Sequence, residues 1–234
     1  MRAPEIFCAE YASVTVTIYK VGRTGLANFI YAVTDRATKD TVLFDPGWEH
    51  ELIVDQLMAS GHHLVAILLT HADEDHTSGV EKIHQALKVP IYLSDLEQYP
   101  ENLPTHSLKT LNHLDELQLG SIRVLCIHTP GHSPGSFCFM IDGLIFTGDT
   151  LFNEGCGYCE PPSGSVSEMF RSLTLLRRQL GDEIIVFPAH QYKSPPGLTM
   201  GQICRINPYL KIKDLDSFAI FSQRRLVNIP AMNE

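Results

Sequence analysis

The sequence predicts a layered α/β sandwich rather than a doubly wound parallel sheet. β-rich and helix-rich stretches occur twice, in similar order, along the 234 residues. The first three strand-like runs follow one another across turn residues, without an intervening helix. No Gly-rich phosphate fingerprint follows them, so a nucleotide-binding fold lacks its signature.

The elements read as follows. "YASVTVTIYKV" has β-branched residues at a period of two, and "NFIYAVTD" and "TVLFDPG" continue it as an antiparallel meander. "EHELIVDQLMASG" has helical spacing at Leu52, Val54, Leu57 and Met58, with Gly61 as its stop. "HLVAILLTH" reads as a buried strand, "SGVEKIHQALKVP" as an amphipathic helix ended by Pro90, and "PIYLS" as the next strand. Residues 94–112 read as a polar, proline-bearing connection. Strands return at "IRVLCIHT", "SFCFMID" and "GLIFTGD". "SEMFRSLTLLRRQL" is a helix with Met169, Leu173, Leu176 and Leu180 on one face, and "EIIVFPAH" is a buried strand. The tail has helical patterning at "TMGQICRIN" and "DLDSFAIFSQRRLV".

Composition narrows the function. Hydrophobic residues at 44% against 19% charged are ordinary for a chain with a sizeable core. The net charge of -9 argues against nucleic acid and anionic membranes as partners. Six cysteines form no regular framework, which points to a reducing compartment. The first twenty residues alternate instead of forming a basic and apolar leader, and no apolar run approaches the ~20 residues of a membrane span. The expectation is a soluble, cytoplasmic protein; the pattern leaves oligomeric state open.

Eleven histidines divide into two groups. His50, His62, His63, His84, His106, His113 and His128 lack ligand-like neighbours and read as surface or ordinary core residues. His71, His76, His132 and His190 each follow an apolar strand, and Asp149 ends "LIFTGD" in the same way. "HADEDH" packs five ionisable side chains into residues 71–76, an arrangement that repels itself unless a cation sits among them. If the strand ends meet in space, the cluster holds His71, Asp73, Asp75, His76, His132, Asp149 and His190. Imidazole nitrogen and carboxylate oxygen suit borderline divalent metals. That many donors exceed one tetrahedral ion and suit two ions sharing a bridging carboxylate.

"THADEDH", "PGHSPGS", "FTGDTLF" and "FPAH", in that order, resemble the motifs of the metallo-β-lactamase superfamily. The resemblance implies an αββα four-layer sandwich occupying residues 1–210 as one domain, with residues 211–234 a helical tail packed on it. "GDTLFNEGCGYCEPPSGSVSEMFRSL" looks like its glyoxalase-II-like and persulfide-dioxygenase-like branch. Carried over by motif, His71, residue 73 and His132 hold one metal; Asp75, His76 and His190 hold a second; Asp149 bridges. The family pattern usually has histidine where this chain has Asp73. The extra carboxylate removes the cluster's remaining positive charge, weakens it as a Lewis acid and tilts it from zinc toward iron or manganese.

Three functions follow from the resemblance. The first is hydrolysis of a thioester linked to glutathione, coenzyme A or an acyl carrier protein, with one or two Zn2+ per chain supplying a metal-bound hydroxide and Asp75 orienting it. The second is a persulfide dioxygenase with one Fe2+ at His71, His132 and Asp149, Asp73 then orienting a neighbour. The third is a metal-binding or regulatory protein in which Asp73 has weakened catalysis. Compact hydrolases of polyketide gene clusters are similar in build and tail. Tyr158, Tyr192 and Lys193 lie near motif segments and are candidates for substrate contact. Lys211, Lys213, Arg224 and Arg225 are candidates for an anionic handle. The short segment after His190 implies that the helical glutathione-binding domain of glyoxalase II is not present in full. Cys156 and Cys159 form a C-x-x-C with no second pair, and read as a loop near the site mouth. Gly131, Pro134 and Gly135 shape the turn that aims His132.

Overall fold

The computed structural model describes residues 5–23, 26–101 and 103–227. In chain order its elements are β1 (Glu5–Glu10), β2 (Val14–Arg23), β3 (Leu26–Asp35), β4 (Asp40–Phe44), α1 (His50–Ala59), β5 (His63–Leu68), α2 (Glu74–Thr77) and α3 (Val80–Leu87). Then follow β6 (Ile91–Leu93), β7 (Leu108–Thr110), β8 (Glu116–Leu119), β9 (Ile122–His128), β10 (Phe137–Ile141) and β11 (Leu144–Gly148). The chain closes with α4 (Val166–Gln179), β12 (Ile185–Pro188), β13 (Leu198–Thr199), α5 (Met200–Ile206) and α6 (Leu215–Val227).

The strands form two sheets. One runs in sequence order from β1 to β7, and the other runs β13-β12-β11-β10-β9-β8. The meander β1 to β4 is antiparallel, whereas β4, β5, β6 and β7 pair in parallel, as do β11 and β12. Parallel strands bring their C-terminal ends, and the loops after them, to one edge.

Alternation explains the layers. Val14, Val16 and Ile18 of β2, with Phe29, Tyr31 and Val33 of β3, point inward and meet Phe137, Phe139 and Phe146 of the second sheet. Phe44 stacks on Phe146 across this layer, with ring centroids 4.3 Å apart and planes 10° from parallel. Burying each such ring contributes about 1.5–3 kcal/mol. Outside the first sheet, Ile53 and Leu57 of α1 and Val80 and Ile83 of α3 cover Ile30, Leu43 and Ile67. Outside the second, Met169, Leu173 and Leu176 of α4, Ile203 of α5 and Phe218 of α6 cover Cys138 and Ile145. The architecture is the αββα sandwich.

Helix ends are set locally. Ser165 accepts a hydrogen bond from the Glu168 N–H at the start of α4, and Arg177 and Arg178 lie in its last turn, matching the helix dipole. Thr199 and Gln202 make a reciprocal capping box on α5.

Four details differ from the sequence reading. The buried face of α1 is Ile53 and Leu57, and Met58 is 66% exposed. The helix read over 78–90 is preceded by a separate turn, α2, inside "ADEDHT", and α3 ends at Lys88 in a left-handed conformation. The 94–112 connection contains β7, and β8 and β13 are further short strands. The alternation from residue 5 onward is a hairpin of β1 and β2, closed by the Tyr11 N–H donating to the Val14 carbonyl. Within the expected 211–234 tail, α6 packs through Phe218, whose ring lies 5.5 Å from that of Phe170 on α4, and residues 228–234 lie outside the described residues. The side chains of Arg224 and Arg225 lie outside the described residues. No helix among the described residues is long and apolar enough to cross a membrane.

Candidate metal centre

The loops after β5, β9, β11 and β12 converge. They carry His71, Asp73, Asp75 and His76 after β5, His132 after β9, Asp149 after β11 and His190 after β12. Donor atoms of His71, Asp73 and His132 lie within 4.8 Å of one another, and so do those of Asp75, His76 and His190. Asp149 stands between the two sets. Its Oδ2 lies 3.8 Å from His132 Nε2, while its Oδ1 lies 3.6 Å from His76 Nε2 and 3.2 Å from His190 Nε2.

The four imidazoles present the same nitrogen, Nε2, to the cluster; the Nδ1 atoms of His71, His132 and His190 are hydrogen-bonded elsewhere, and that of His76 faces Asp45. His132 Nδ1 donates to the Tyr158 carbonyl at 2.7 Å and His190 Nδ1 to the Ala27 carbonyl at 3.3 Å. His76 Nδ1 lies 3.1 Å from Asp45 Oδ2. The Thr70 hydroxyl donates to Asp45 Oδ2 at 2.7 Å, so it receives the Nδ1 proton of His71 at 3.0 Å. A carbonyl or carboxylate on Nδ1 keeps a proton there, so Nε2 is the nitrogen that gives up its proton to ligate a metal. Asp75 is fixed by Asn28, whose amide donates to its Oδ2 at 2.8 Å and to its backbone carbonyl at 3.1 Å.

Electrostatics favour positive charge among these groups. Burial opposes charge on His76, but Asp45, Asp149 and Asp75 overcome it and raise its pKa to about 10. Burial likewise opposes charge on His132, and Asp73 and Asp149 raise it to about 9. Asp149 is disfavoured as an anion by burial, yet His190, His76 and His132 hold its carboxyl well below the usual range. The hydrogen bond from His132, with His71 Nε2 3.6 Å away, lowers Asp73 strongly. His71 Nε2, His76 Nε2 and Asp149 Oδ1 are buried without a hydrogen-bond partner. Orphaned buried polar atoms are costly, and here they face one another. The donor set fits divalent metal ions.

Close approaches shape the same loops. A Cβ on Gly157 would meet the Asp149 carbonyl at 2.4 Å and His132 Nδ1 at 2.9 Å. Its neighbours Cys156 and Cys159 are buried against the α4 side of the second sheet, so the C-x-x-C anchors this loop. Ser133 and Ser136 bond each other at 2.7 Å and build the turn before β10.

A model of the metallo-beta-lactamase superfamily matches residues 23–190. The chain belongs to that superfamily. Within it, the chain is 30% identical over 201 residues to the probable polyketide biosynthesis zinc-dependent hydrolase PksB of Bacillus subtilis, covering 86% of this chain and 89% of that one. It is 31% identical over 170 residues to the hydroxyacylglutathione hydrolase of Shewanella halifaxensis, covering 70% of this chain and 62% of that protein. The crystal structure of ETHE1 from Myxococcus xanthus superposes with a TM-score of 0.78 at 24% identity, covering 92% of both chains, and so shares the superfamily fold.

The fold brings together all seven metal-ligand candidates that the sequence singles out. The substrate candidates sit at the rim: Tyr158 is 47% and Tyr192 56% exposed, and Lys193 is exposed. Tyr158 reaches the cluster through its backbone carbonyl, and the Tyr192 ring packs 5.5 Å from that of Phe152, itself 5.6 Å from the His190 ring. Lys211 and Lys213 are exposed just before α6. Sequence reasoning missed Asp45 and Asn28. Asp45 had a signal, an acid at the exit of β4 in "LFDPG"; Asn28 had none.

Proposed function

We propose that the chain is a metal-dependent hydrolase that cleaves a thioester. The observation that carries this is Asp149, whose two oxygens face the two donor triplets. Both donor sets can therefore draw on the same carboxylate. Divalent ions held there would supply a polarised substrate carbonyl and a water acidified toward neutral pH.

The chain's own residues do the rest. His71, Asp73 and His132 form one binding set, and Asp75, His76 and His190 the other. Asp75, held by Asn28, orients the attacking water and receives its proton. Water adds to the thioester carbonyl, the C–S bond breaks, and a carboxylic acid and a thiol are released. A thiolate leaves without a strong general acid, so the site needs no cationic proton donor. The name of the hydroxyacylglutathione relative supports a thioester, and that of PksB supports zinc and a hydrolytic role in polyketide biosynthesis. The substrate is then a small-molecule thioester or an acylated carrier protein.

The test is turnover of glutathione, coenzyme A and N-acetylcysteamine thioesters by purified protein. Asp75→Asn and His132→Ala are expected to abolish turnover while circular dichroism stays native. Full activity in either folded variant sinks the assignment.

One observation favours a second reading. Asp73 is 56% exposed and hydrogen-bonds His132 Nε2 at 3.1 Å, as a residue orienting a ligand does. His71, His132 and Asp149 then form the 2-His-1-carboxylate set of an iron dioxygenase acting on a persulfide. Oxygen uptake with glutathione persulfide, and no thioester turnover, would select it.

A further inference from the structure

The turn after β6 carries a carboxylate that none of the preceding chemistry uses. Glu97 is partly buried, and both of its oxygens are occupied by neighbouring loops. Oε2 accepts from the Ala72 N–H at 3.2 Å. Oε1 accepts from the Gly135 N–H at 2.8 Å and from the Ser133 hydroxyl. Ala72 lies between His71 and Asp73, and Ser133 follows His132. One side chain therefore ties together the two segments that supply the first donor triplet. A Cβ on residue 135 would stand 2.7 Å from Glu97 Oε1, so glycine there keeps room for the carboxylate.

The second triplet is held by other means. Asn28 fixes Asp75, Asp45 faces His76, and the Ala27 carbonyl holds His190. Glu97 touches none of these groups by any hydrogen bond among the described residues. The asymmetry bears on Asp73. A carboxylate at this position is shorter than an imidazole, so a donor set of His71, Asp73 and His132 tolerates little change in the spacing of its two loops.

Resting on the two-metal reading, we propose that Glu97 is a positioning residue dedicated to the first metal site. It sets the distance between the His71–Asp73 segment and His132, and so the affinity of the ion they hold. It does not act on the ion held by Asp75, His76 and His190.

The experiment is a zinc titration of the metal-free full chain against a competing chelator. Glu97→Gln keeps the volume but turns an NH2 group toward either the Ala72 N–H or the Gly135 donors, where it has nothing to offer. One ion is expected to bind about 10–100-fold more weakly, the second unchanged. Asn28→Ala is expected to weaken the other ion. Combining Glu97→Gln with His132→Ala, which removes the first site, is expected to cost no more affinity than His132→Ala alone. Equal weakening of both ions, or no change in folded Glu97→Gln, overturns the proposal. Should that variant fail to fold, Gly135→Ala displaces the same carboxylate and puts the same question. Wild-type chain that takes up no zinc would sink the two-metal reading itself, a result distinct from any of these.

Discussion

Asp45 Oδ2 lies 3.1 Å from His76 Nδ1, and the same oxygen accepts the hydroxyl of Thr70, which in turn meets His71 Nδ1. One carboxylate thus faces one histidine directly and reaches another through Thr70, one in each donor triplet. It is also 5% exposed and accepts the Thr70 N–H at 2.7 Å. Asp45→Ala is expected to weaken both ions about 10–100-fold and to cost about 1–3 kcal/mol of stability from the unpaired N–H. Chelator competition and urea unfolding measure the two effects. Weakening of one ion alone would show that the relay through Thr70 does not operate.

The raised histidines give metal binding a pH dependence with a definite sign. With pKa values of about 10 for His76 and about 9 for His132, both are protonated in metal-free protein at neutral pH, and each ion must displace a proton. Metal affinity should rise with pH up to about 10, and calorimetry in buffers of different ionisation enthalpy should record proton release. Stability of the metal-free protein should slope the other way. A histidine raised from 6.5 contributes fully below 6.5, and that contribution is lost as pH rises through about 9–10. Urea midpoints of metal-free protein that stay flat over this window would contradict the charge assignment.

On the two-metal reading proposed above, Asp73 weakens the first site as a Lewis acid. Asp73→His returns a positive charge to the cluster and supplies a borderline ligand suited to zinc. Thioester turnover is expected to rise about tenfold, or ~1.4 kcal/mol of barrier, with zinc content maintained. A gain from no detectable activity would instead mark the natural chain as a binding protein. Unchanged turnover would mean that residue 73 does not touch the reacting ion.

Gly157 reports on the loop that aims His132. In Gly157→Ala the new methyl meets the Asp149 carbonyl and His132 Nδ1 inside van der Waals distance, and both are backed by packed structure. Turnover is expected to fall by about tenfold or more, and the clash to cost the metal-free protein about 1–3 kcal/mol of stability. Equal activity in the variant would show that the loop gives way without moving either ligand.

The sandwich and the cluster were legible in the sequence for one reason. Strands buried in the sheet interiors, such as β5 and β11, are apolar runs that stop abruptly at the polar residues of the site. The strands that were missed or merged, β1, β7, β8 and β13, are the four sheet edges. An edge strand is short or solvent-facing, and β1 is exposed along nearly its whole length, so burial imposes no period on it. The supporting residues escaped for a different reason. Asn28 meets Asp75 across 47 residues, and Glu97 meets Gly135 across 38. A single amide or carboxylate carries no periodicity that announces such a partner; only the assembled sheets bring the groups together.

The most direct measurement is metal content per chain, by mass spectrometry, on protein purified without added metal. About two divalent ions per chain are expected, about one in either His132→Ala or His190→Ala, and near none in the double variant. Wild-type protein carrying no transition metal, or a content unaffected by both substitutions, would contradict the two-metal reading.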